Sequence, residues 1–306
     1  MKKPQLRSLL GTDQLTVAEI DSILKLARRM DPRRAPQLLR GKRVVLLFYE
    51  ASTRTRTSFE FAAKALGATT TLITNTASSI EKGESLIDTG WTVTSLGADA
   101  IVMRHPNSGA PYLLSRYVPV PVINAGDGLH QHPSQALLDA LTITNHKKRL
   151  KGLRVVIVGD VFHSRVARSN AVLLSKFGVE VIFCGPSDLV PDISATIAPG
   201  VVACHDLDAA MRGADVVMSL RIQKERLAGR HISLEDYIAQ FQVTPQRMKL
   251  ARPDAIVMHP GPIVRGLELA NEVADGPQSC VHEQVANGVK TRMAILATVL
   301  KGARSR

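Results

Sequence analysis

A strand, a polar turn and a helix follow one another near the start of the sequence, and this unit sets the fold that we expect. Residues 43–48 form an apolar run with two adjacent valines, which predicts a buried strand. Beyond the turn, Phe59, Ala62 and Leu66 recur at helical spacing, and Gly67 supplies a stop signal. Strands and helices continue to alternate up to residue 146, and the glycine-rich residues 124–128 predict a turn within this pattern. The pattern restarts at residue 152. The alternation predicts an α/β fold with two doubly wound parallel-sheet domains.

The turn between this strand and helix, residues 52–56, carries three hydroxyl groups and two guanidinium groups. The first backbone N–H groups of a helix have no partner within the helix and lie at the positive end of its dipole, so they favour an anion. Arg54 can hold a phosphate group through two parallel hydrogen bonds. A simple helix cap needs one hydroxyl and no pair of arginines. We therefore interpret the turn as a phosphate-binding site.

Length and composition limit the class of protein. A chain of 306 residues suits two domains, and a hydrophobic fraction of 45% is enough for their cores. No apolar run approaches the ~18 residues of a membrane span, and no apolar signal core follows Met1, so we expect a cytoplasmic protein without membrane contact. The three cysteines match no zinc spacing and predict buried free thiols. No cysteine or carboxylate completes a ligand set with His130 and His132, so we expect no metal.

The formal net charge of +12 is compatible with two classes of partner. A positive net charge favours binding to nucleic acid, and it equally suits an enzyme whose substrates are anions. Aromatic residues make up only 4% of the chain, and no basic stripe alternates with them, so stacking platforms for single strands are not evident. Nucleic-acid binding is therefore the less favoured alternative.

Residues 52–56, Ser-Thr-Arg-Thr-Arg, and residues 58–60, Ser-Phe-Glu, closely resemble the carbamoyl-phosphate signature of the aspartate and ornithine carbamoyltransferases. These enzymes transfer a carbamoyl group from carbamoyl phosphate to an amine. An arginine at the end of a predicted strand and a His-Pro-x-Gln pattern at residues 132–135 match further motifs of the family. The resemblance implies that carbamoyl phosphate is bound by Ser52, Thr53, Arg54, Thr55, Arg104, His132 and Gln135. Thr55, Arg104 and His132 would stabilise the oxyanion, and Gln135 would orient the carbamoyl amino group.

The polar loop at residues 78–85 resembles a mobile loop of the same family. In the aspartate enzymes this loop reaches into the active site of the neighbouring subunit. The resemblance implies that Ser78 contacts carbamoyl phosphate and that Lys82 contacts L-aspartate and acts in catalysis, both from the neighbouring subunit. The alternative is an ordinary solvated loop. The residues expected to act in catalysis are Arg54, Thr55, Lys82, Arg104, His132 and Gln135.

The second predicted domain begins with a strand and a tight turn at residues 152–160. Gly159 stands alone where a dinucleotide fingerprint requires three glycines, so a nucleotide cofactor is not expected. The family has an arginine six residues after this glycine that holds the α-carboxylate of the amino acid, and Arg165 matches it. Residues 221–225, Arg-Ile-Gln-Lys-Glu, resemble a segment of the aspartate enzymes. The resemblance implies that Arg221 holds the side-chain carboxylate, with support from Gln223.

Residues 259–262, His-Pro-Gly-Pro, favour aspartate over ornithine as the acceptor. Ornithine enzymes carry His-Cys-Leu-Pro here, and this chain has no cysteine between Cys204 and Cys280. The resemblance implies that Gly261 and Pro262 contact carbamoyl phosphate. Arginines at the amino-acid site would also repel the cationic side chain of ornithine.

The resemblance implies two domains with the active site in the cleft between them. We expect a carbamoyl-phosphate domain at residues 1–135, completed by a helix at 287–306, and an aspartate domain at residues 136–286. The implied reaction gives N-carbamoyl-aspartate and phosphate, the second step of pyrimidine biosynthesis, without a cofactor. The implied assembly is a homotrimer with shared active sites; the sequence leaves open whether regulatory chains or a dihydroorotase join it. Alternatives are an ornithine-type carbamoyltransferase, a basic nucleic-acid-binding protein, and a binding protein that has lost catalysis.

Overall fold

The computed structural model describes residues 7–74, 83–222 and 232–302. The chain divides into two compact units. The first comprises Met1–Leu141 and Ala286–Arg306, and the second comprises Thr142–Val285. Both units contain a parallel sheet with helices, as the alternation in the sequence predicts. The predicted fold class of two parallel-sheet α/β domains is confirmed.

The first unit is built on a four-stranded parallel sheet with the order β2-β1-β3-β4. Its strands are β1 (Arg43–Phe48), β2 (Thr69–Thr74), β3 (Ala100–His105) and β4 (Val122–Asp127). Its helices are α1 (Val17–Arg29), α2 (Thr53–Ala65), α3 (Leu86–Ser95) and α4 (Ala110–Tyr117). The chain passes from the first unit to the second within α5 (Pro133–Lys147) and returns within the last helix.

The core of the first unit follows from the apolar character of its central strands. Strand β1 is buried at every position except Arg43, and β3 is buried up to Arg104. Strand β2 lies at the sheet edge and is half exposed, which its four threonines tolerate. The two inner strands and α4 share one hydrophobic cluster that includes Leu47, Ile101 and Leu114. A rigid sheet therefore supports the loops that follow β1, β3 and β4.

The second unit is built on a five-stranded parallel sheet with the order β7-β6-β5-β8-β9. Its strands are β5 (Arg154–Val158), β6 (Glu180–Cys184), β7 (Val201–Cys204), β8 (Val216–Ser219) and β9 (Ile256–Met258). Its helices are α6 (Arg165–Ser175), α7 (Leu207–Met211), α8 (Leu234–Phe241), α9 (Pro245–Met248) and α10 (Asn271–Ala274), with a 3₁₀ helix at Asp192–Ile197. The last helix, α11, spans Val281–Gly302.

The glycine-rich segment at residues 124–128, which the sequence predicts as a turn, is largely strand. Strand β4 continues to Asp127, and the pairing with β3 shifts register between Met103 and His105. The Asn124 side chain supports the irregular strand: its Oδ1 accepts from Gly126 N at 2.8 Å, and its Nδ2 donates to Leu10 O at 2.7 Å. The predicted turn is wrong because these side-chain bonds stabilise a glycine with a φ of 116° inside a strand.

Two broad predictions concern membranes and thiols. Among the described residues, no helix combines the length and the apolar character that a membrane span requires. The three cysteines are free, as expected; Cys184 and Cys280 are buried, whereas Cys204 is half exposed.

Candidate active site

Each sheet has one place where the strand order reverses, and the predicted site residues follow the strands at those places. In open α/β sheets, ligands bind at the carboxyl ends of the strands beside such a switch point. In the first unit the switch point lies between β1 and β3, and in the second unit it lies between β5 and β8. The phosphate-binding turn follows β1, and Arg104 is the penultimate residue of β3. Arg165 follows β5, and Arg221 follows β8.

The phosphate-binding turn is the start of α2, as predicted. Ser52 is the N-cap, and its side chain accepts a hydrogen bond from Thr55 N at 3.4 Å. Thr53 and Arg54 are exposed at the first turn, whereas Thr55 is buried. No acidic residue occupies this first turn, so the positive end of the helix dipole is not neutralised by its own side chains. The arrangement suits an incoming phosphate.

Arg104 is fixed at the carboxyl end of β3. The structure leaves only 8% of Arg104 exposed. Its Nη2 donates to Glu50 Oε1 at 2.5 Å, and its Nη1 donates to Ala125 O at 3.4 Å. The motifs in the sequence do not include Glu50. A signal for it exists, because Glu50 follows β1 and the β1–β3 register pairs Phe48 with Arg104.

The turn before His132 is organised by the buried carboxylate of Asp127. Its Oδ2 accepts from Gly109 N at 2.7 Å, and its Oδ1 accepts from Gln131 N at 3.1 Å. His130 Nδ1 lies 3.1 Å from the same carboxylate. His130 thus has a structural partner within the turn.

His132 and Gln135 are both buried at the start of α5. His132 Nδ1 lies 3.5 Å from Ser134 Oγ, and Gln135 Nε2 donates to Asp139 Oδ1 at 2.9 Å. Asp139 lies outside the His-Pro-x-Gln motif, one helical turn beyond Gln135 on the same face of α5, and was not predicted as a site residue. Because the amide nitrogen of Gln135 is bound to Asp139, its orientation is defined and its oxygen is the group that can accept from a substrate.

Arg292, a buried arginine of α11, interacts electrostatically with the Asp139 carboxylate. Burial lowers the pKa of Arg292 to about 10, against the opposing effect of the Asp139 carboxylate. The Arg292 guanidinium carbon lies 5.1 Å from the centre of the Phe59 ring. The Asp139 carboxylate therefore accepts from Gln135 and also offsets part of the cost of burying the Arg292 guanidinium.

In the second unit, the turn after β5 requires its lone glycine. Gly159 has a φ of 123°, and a Cβ there would lie 3.3 Å from both Leu220 Cβ and Leu220 O. The turn after β5 therefore packs closely against the residue that precedes Arg221. His163 Nδ1 lies 2.8 Å from Asp160 Oδ1, which closes the turn before α6. This close packing explains Gly159 without any nucleotide.

The two predicted aspartate-binding arginines begin the segments after β5 and β8. Ser164 caps α6 by accepting from Ala167 N at 3.0 Å, and half-exposed Arg165 is the first helical residue. Arg168, one turn later, is also half exposed, and burial lowers its pKa although the Asp160 carboxylate acts in the opposite direction. Arg221 is exposed, and the next residue, Ile222, is buried.

The His-Pro-Gly-Pro segment forms a constrained loop after β9. His259 is buried; its Nδ1 accepts from Gly261 N at 2.7 Å, and its Nε2 donates to Glu268 Oε1 at 3.1 Å. Glu268 is also buried and accepts from Val264 N at 2.7 Å. Gly261 has a φ of 70°, which favours glycine, and the bond to Pro262 is cis. Glu268 was missed in the sequence because it lies outside the motif.

Three predicted site residues, Ser78, Lys82 and Gln223, lie outside the described residues. The others fall into two groups. Neighbouring strands of one parallel sheet bring the residues that follow β1, β3 and β4 to the same edge in the first unit. The residues that follow β5, β8 and β9, including Gly261 and Pro262, share an edge in the second unit.

Comparison with protein families decides the classification. Residues 7–145 match the family model described as "Aspartate/ornithine carbamoyltransferase, carbamoyl-P binding domain". Residues 151–299 match the model described as "Aspartate/ornithine carbamoyltransferase, Asp/Orn binding domain". The chain belongs to the aspartate/ornithine carbamoyltransferase family. The resemblance inferred from residues 52–60, 132–135 and 259–262 is thereby confirmed.

Relatives within the carbamoyltransferase family agree along the whole chain. The aspartate carbamoyltransferase catalytic subunit of Koribacter versatilis is 65% identical over 300 residues, which cover 98% of this chain and 99% of the relative. The corresponding subunit of Solibacter usitatus is 52% identical over 297 residues, which cover 95% of this chain and 98% of the relative.

Solved carbamoyltransferase structures share the fold. The catalytic subunit of M. jannaschii aspartate transcarbamoylase has a TM-score of 0.88 at 36% identity and covers 98% of this chain and 100% of its own. Ornithine carbamoyltransferase from Pyrococcus furiosus also has a TM-score of 0.88, at 32% identity, and covers 97% of both chains. Fold similarity alone therefore does not separate the two acceptors.

Proposed function

We propose that this chain transfers the carbamoyl group of carbamoyl phosphate to the amine of L-aspartate, giving N-carbamoyl-L-aspartate and phosphate. The observation that carries the proposal is the placement of cationic residues at both switch points. In the first unit, the start of α2 with Arg54 would bind a phosphorylated substrate together with the buried Arg104. Arg165 and Arg221 serve a dicarboxylate in the second. Relatives of up to 65% identity carry the corresponding name.

The first unit supplies the groups that the chemistry requires. The neutral amine attacks the carbamoyl carbon, a C–N bond forms, and negative charge develops on the carbamoyl oxygen. The C–O bond to phosphate then breaks, and the amine loses a proton. Thr55, Arg104 and His132 are the proposed oxyanion donors; a donor of this kind is typically worth ~3–4 kcal/mol in the transition state. Positioning and electrostatics suffice, because carbamoyl phosphate is already activated.

Further residues complete the proposed substrate contacts. Ser52, Thr53, Arg54 and Ser78 would hold the phosphate, with Gly261 and Pro262 from the loop after β9. Gln135, oriented by Asp139, would accept a hydrogen bond from the carbamoyl amino group. Lys82 and Gln223 would assist in binding aspartate.

Aspartate is favoured over ornithine by charge and by the loop after β9. Two arginines follow the switch-point strands of the second unit, where the cationic side chain of ornithine would be repelled. The left-handed Gly261 and the buried His259 determine the conformation of this loop. The loop also lacks the cysteine that the ornithine enzymes carry. This acceptor would place the enzyme in pyrimidine biosynthesis, in the cytoplasm.

A competition assay tests the acceptor. The chain is incubated with carbamoyl phosphate and equal concentrations of L-aspartate and L-ornithine, and both carbamoylated products are quantified by mass spectrometry. We expect N-carbamoyl-aspartate in large excess. Preferential formation of citrulline would overturn the assignment, and absence of both products from folded, trimeric protein would overturn the enzymatic function.

We further propose that the chain forms a homotrimer in which Ser78 and Lys82 of one subunit act in the site of its neighbour. A cyclic trimer uses one interface repeatedly, so a loop donated once is donated three times. Regulatory chains or a dihydroorotase remain candidate further partners.

Mixed trimers test the shared site. Arg54→Ala and Lys82→Ala chains, each inactive alone, are dissociated together and allowed to reassemble. A site is intact when its own chain keeps Arg54 and its donor keeps Lys82, so about one quarter of sites (1/2 × 1/2) should be active in a cyclic assembly. Absence of recovery in mixed trimers verified by mass spectrometry would contradict the shared site.

A further inference from the structure

Three side chains of different chemistry converge in the second unit, and none of them belongs to the segments that follow β5 and β8. His146 lies in the last turn of α5, Cys280 immediately precedes α11, and Glu283 lies in the first turn of α11. One ligand atom from each of the three lies within 4.8 Å of the other two. The Cys280 thiol is buried, whereas the His146 and Glu283 side chains are 37% and 39% exposed, respectively.

The contacts meet at a single nitrogen atom. His146 Nε2 lies 2.6 Å from Glu283 Oε2 and 3.4 Å from Cys280 Sγ. A nucleophile–base–acid relay would use both ring nitrogens, one towards the thiol and one towards the carboxylate. Here thiol and carboxylate approach the same nitrogen, so the arrangement is not such a relay. Three donor atoms around one point are instead typical of ligands to a metal ion.

The separations are close to those that a tetrahedral ion requires. With Zn–N near 2.0 Å and Zn–S near 2.3 Å, tetrahedral angles place N and S ~3.5 Å apart and N and O ~3.3 Å apart. The observed N···S distance of 3.4 Å already fits. The N···O distance of 2.6 Å is that of a hydrogen bond and must open by about 0.7 Å to reach the tetrahedral separation. Both partly exposed side chains have room to make this adjustment by rotation.

We propose that His146 Nε2, Cys280 Sγ and a Glu283 carboxylate oxygen bind Zn²⁺, with water as the fourth ligand. Imidazole, thiolate and carboxylate are the three side-chain ligand types of zinc in proteins. A thiolate and a carboxylate together balance the charge of the ion. On binding, the Cys280 thiol releases its proton to solvent as the S–Zn bond forms, and no oxidant or reductant is involved.

The surroundings both support and oppose such a site. Asn145 Nδ2 donates to Glu283 Oε1 at 3.2 Å, which orients the carboxylate. The ammonium group of Lys147 opposes a cation, but its Nζ lies 2.8 Å from Asp254 Oδ2, which offsets its charge. An ion held here would link the end of α5 to the start of α11.

Cobalt substitution tests the proposal directly. Untagged full-length chain is titrated with Co²⁺, and absorption is followed in the near-ultraviolet, where thiolate-to-cobalt charge transfer appears, and in the visible, where tetrahedral Co²⁺ absorbs. We expect saturation at one Co²⁺ per chain and displacement by Zn²⁺. Cys280→Ser should abolish the charge-transfer band. His146→Gln and Glu283→Gln should each weaken binding by more than the ~10–100-fold typical of outer ligand partners.

A matched control is available in the same unit. Cys204 is also a free thiol, and Cys204→Ser should leave the titration unchanged. Circular dichroism checks that each variant is folded, and His146→Gln serves as the test if Cys280→Ser is not. Absence of saturable binding to the wild-type chain would overturn the proposal. So would a charge-transfer band that persists in Cys280→Ser or disappears in Cys204→Ser.

Discussion

Glu50 and Arg104 form an ion pair across two adjacent strands, with 2.5 Å between Glu50 Oε1 and Arg104 Nη2. The Arg104 side chain is 10% exposed and the Glu50 side chain 33% exposed. The Glu50 carboxylate thus fixes the Nη2 side of the guanidinium, and the Ala125 carbonyl accepts from Nη1. Because Arg104 is a proposed oxyanion donor, Glu50 is expected to act as its positioning residue.

Replacing Glu50 therefore tests whether orientation of Arg104 limits turnover. We expect Glu50→Gln to lower kcat/KM for carbamoyl phosphate on the order of 10- to 100-fold, because a misplaced donor loses transition-state stabilisation. The matched control is Glu180→Gln, which removes a surface ion pair with Arg154 in the second unit and should have little effect. Equal kinetics for Glu50→Gln and the wild type would remove Glu50 from this role.

The Ser52 side chain has two expected tasks, capping α2 and binding phosphate. Ser52→Ala should reduce the free energy of unfolding by ~1 kcal/mol, the usual cost of a lost N-cap, and should also raise KM for carbamoyl phosphate. Thr16→Ala removes the capping box of α1 in the same unit and should reproduce only the stability loss. Urea unfolding and steady-state kinetics on both variants separate the tasks. If KM rises equally in both, the kinetic effect is a consequence of lost stability.

The arginines that follow β5 and β8 should act on aspartate alone. Arg165→Gln and Arg221→Gln each remove charge-assisted hydrogen bonds worth ~1.5–3 kcal/mol, so KM for aspartate should rise about 10- to 100-fold while KM for carbamoyl phosphate stays within about twofold. Arg252→Gln, an exposed arginine paired with Asp215, is the control and should behave as the wild type. A selective rise in the KM for carbamoyl phosphate would reverse the proposed assignment of units to substrates.

The His259–Glu268 pair should contribute strongly to stability because both side chains are 0% exposed. Glu268→Ala leaves the His259 Nε2–H and the Val264 N–H without their acceptor, and each buried donor left unsatisfied typically costs ~1–3 kcal/mol. Asp275→Ala removes the exposed bidentate pair with Arg265 and should not measurably change the denaturant midpoint. Similar midpoints for the two variants would show that the buried pair adds no stability.

Two histidines should change the pH dependence of stability in opposite directions. Burial lowers the pKa of His105 below 6.5, so its contribution to stability is present above that pH and is lost as the pH falls. A hydrogen bond to the Gly185 carbonyl, assisted by Asp192, raises the pKa of His205 above 6.5, so its contribution is present at low pH and is lost as the pH rises through the folded-state pKa.

Denaturant midpoints between pH 5 and 8 measure these two contributions. His105→Asn should flatten the loss of stability on acidification, whereas His205→Asn should steepen it. Changes of the same sign in both variants would contradict the assigned directions.

The βα units were predictable because local patterns encode them. The strand Arg43–Phe48 was predicted with its observed bounds, since five consecutive apolar residues follow Arg43. The start of α2 was predictable because Ser52 is both a cap and part of a motif. Strand β7 carries no comparable signal, because its four residues lie at a sheet edge and are partly exposed.

The supporting residues of the site could not be predicted from motifs. Glu50 meets Arg104 across 54 positions, and Glu268 meets His259 through a loop closed by a left-handed glycine. Such contacts depend on strand register and loop conformation, which follow from the packing of the whole unit. The motif residues themselves follow strand ends, which is where topology directs ligands.

The first unit consists of two separate stretches of the chain, and this affects the order in which the units fold during translation. Residues Ala286–Arg306 belong to that unit, and the Met293, Ile295 and Leu296 side chains of α11 are fully buried. A ribosome makes Thr142–Val285 before it makes this helix. We therefore expect the second unit to fold first during translation. The first unit can complete its core only after residues 286–306 leave the ribosome.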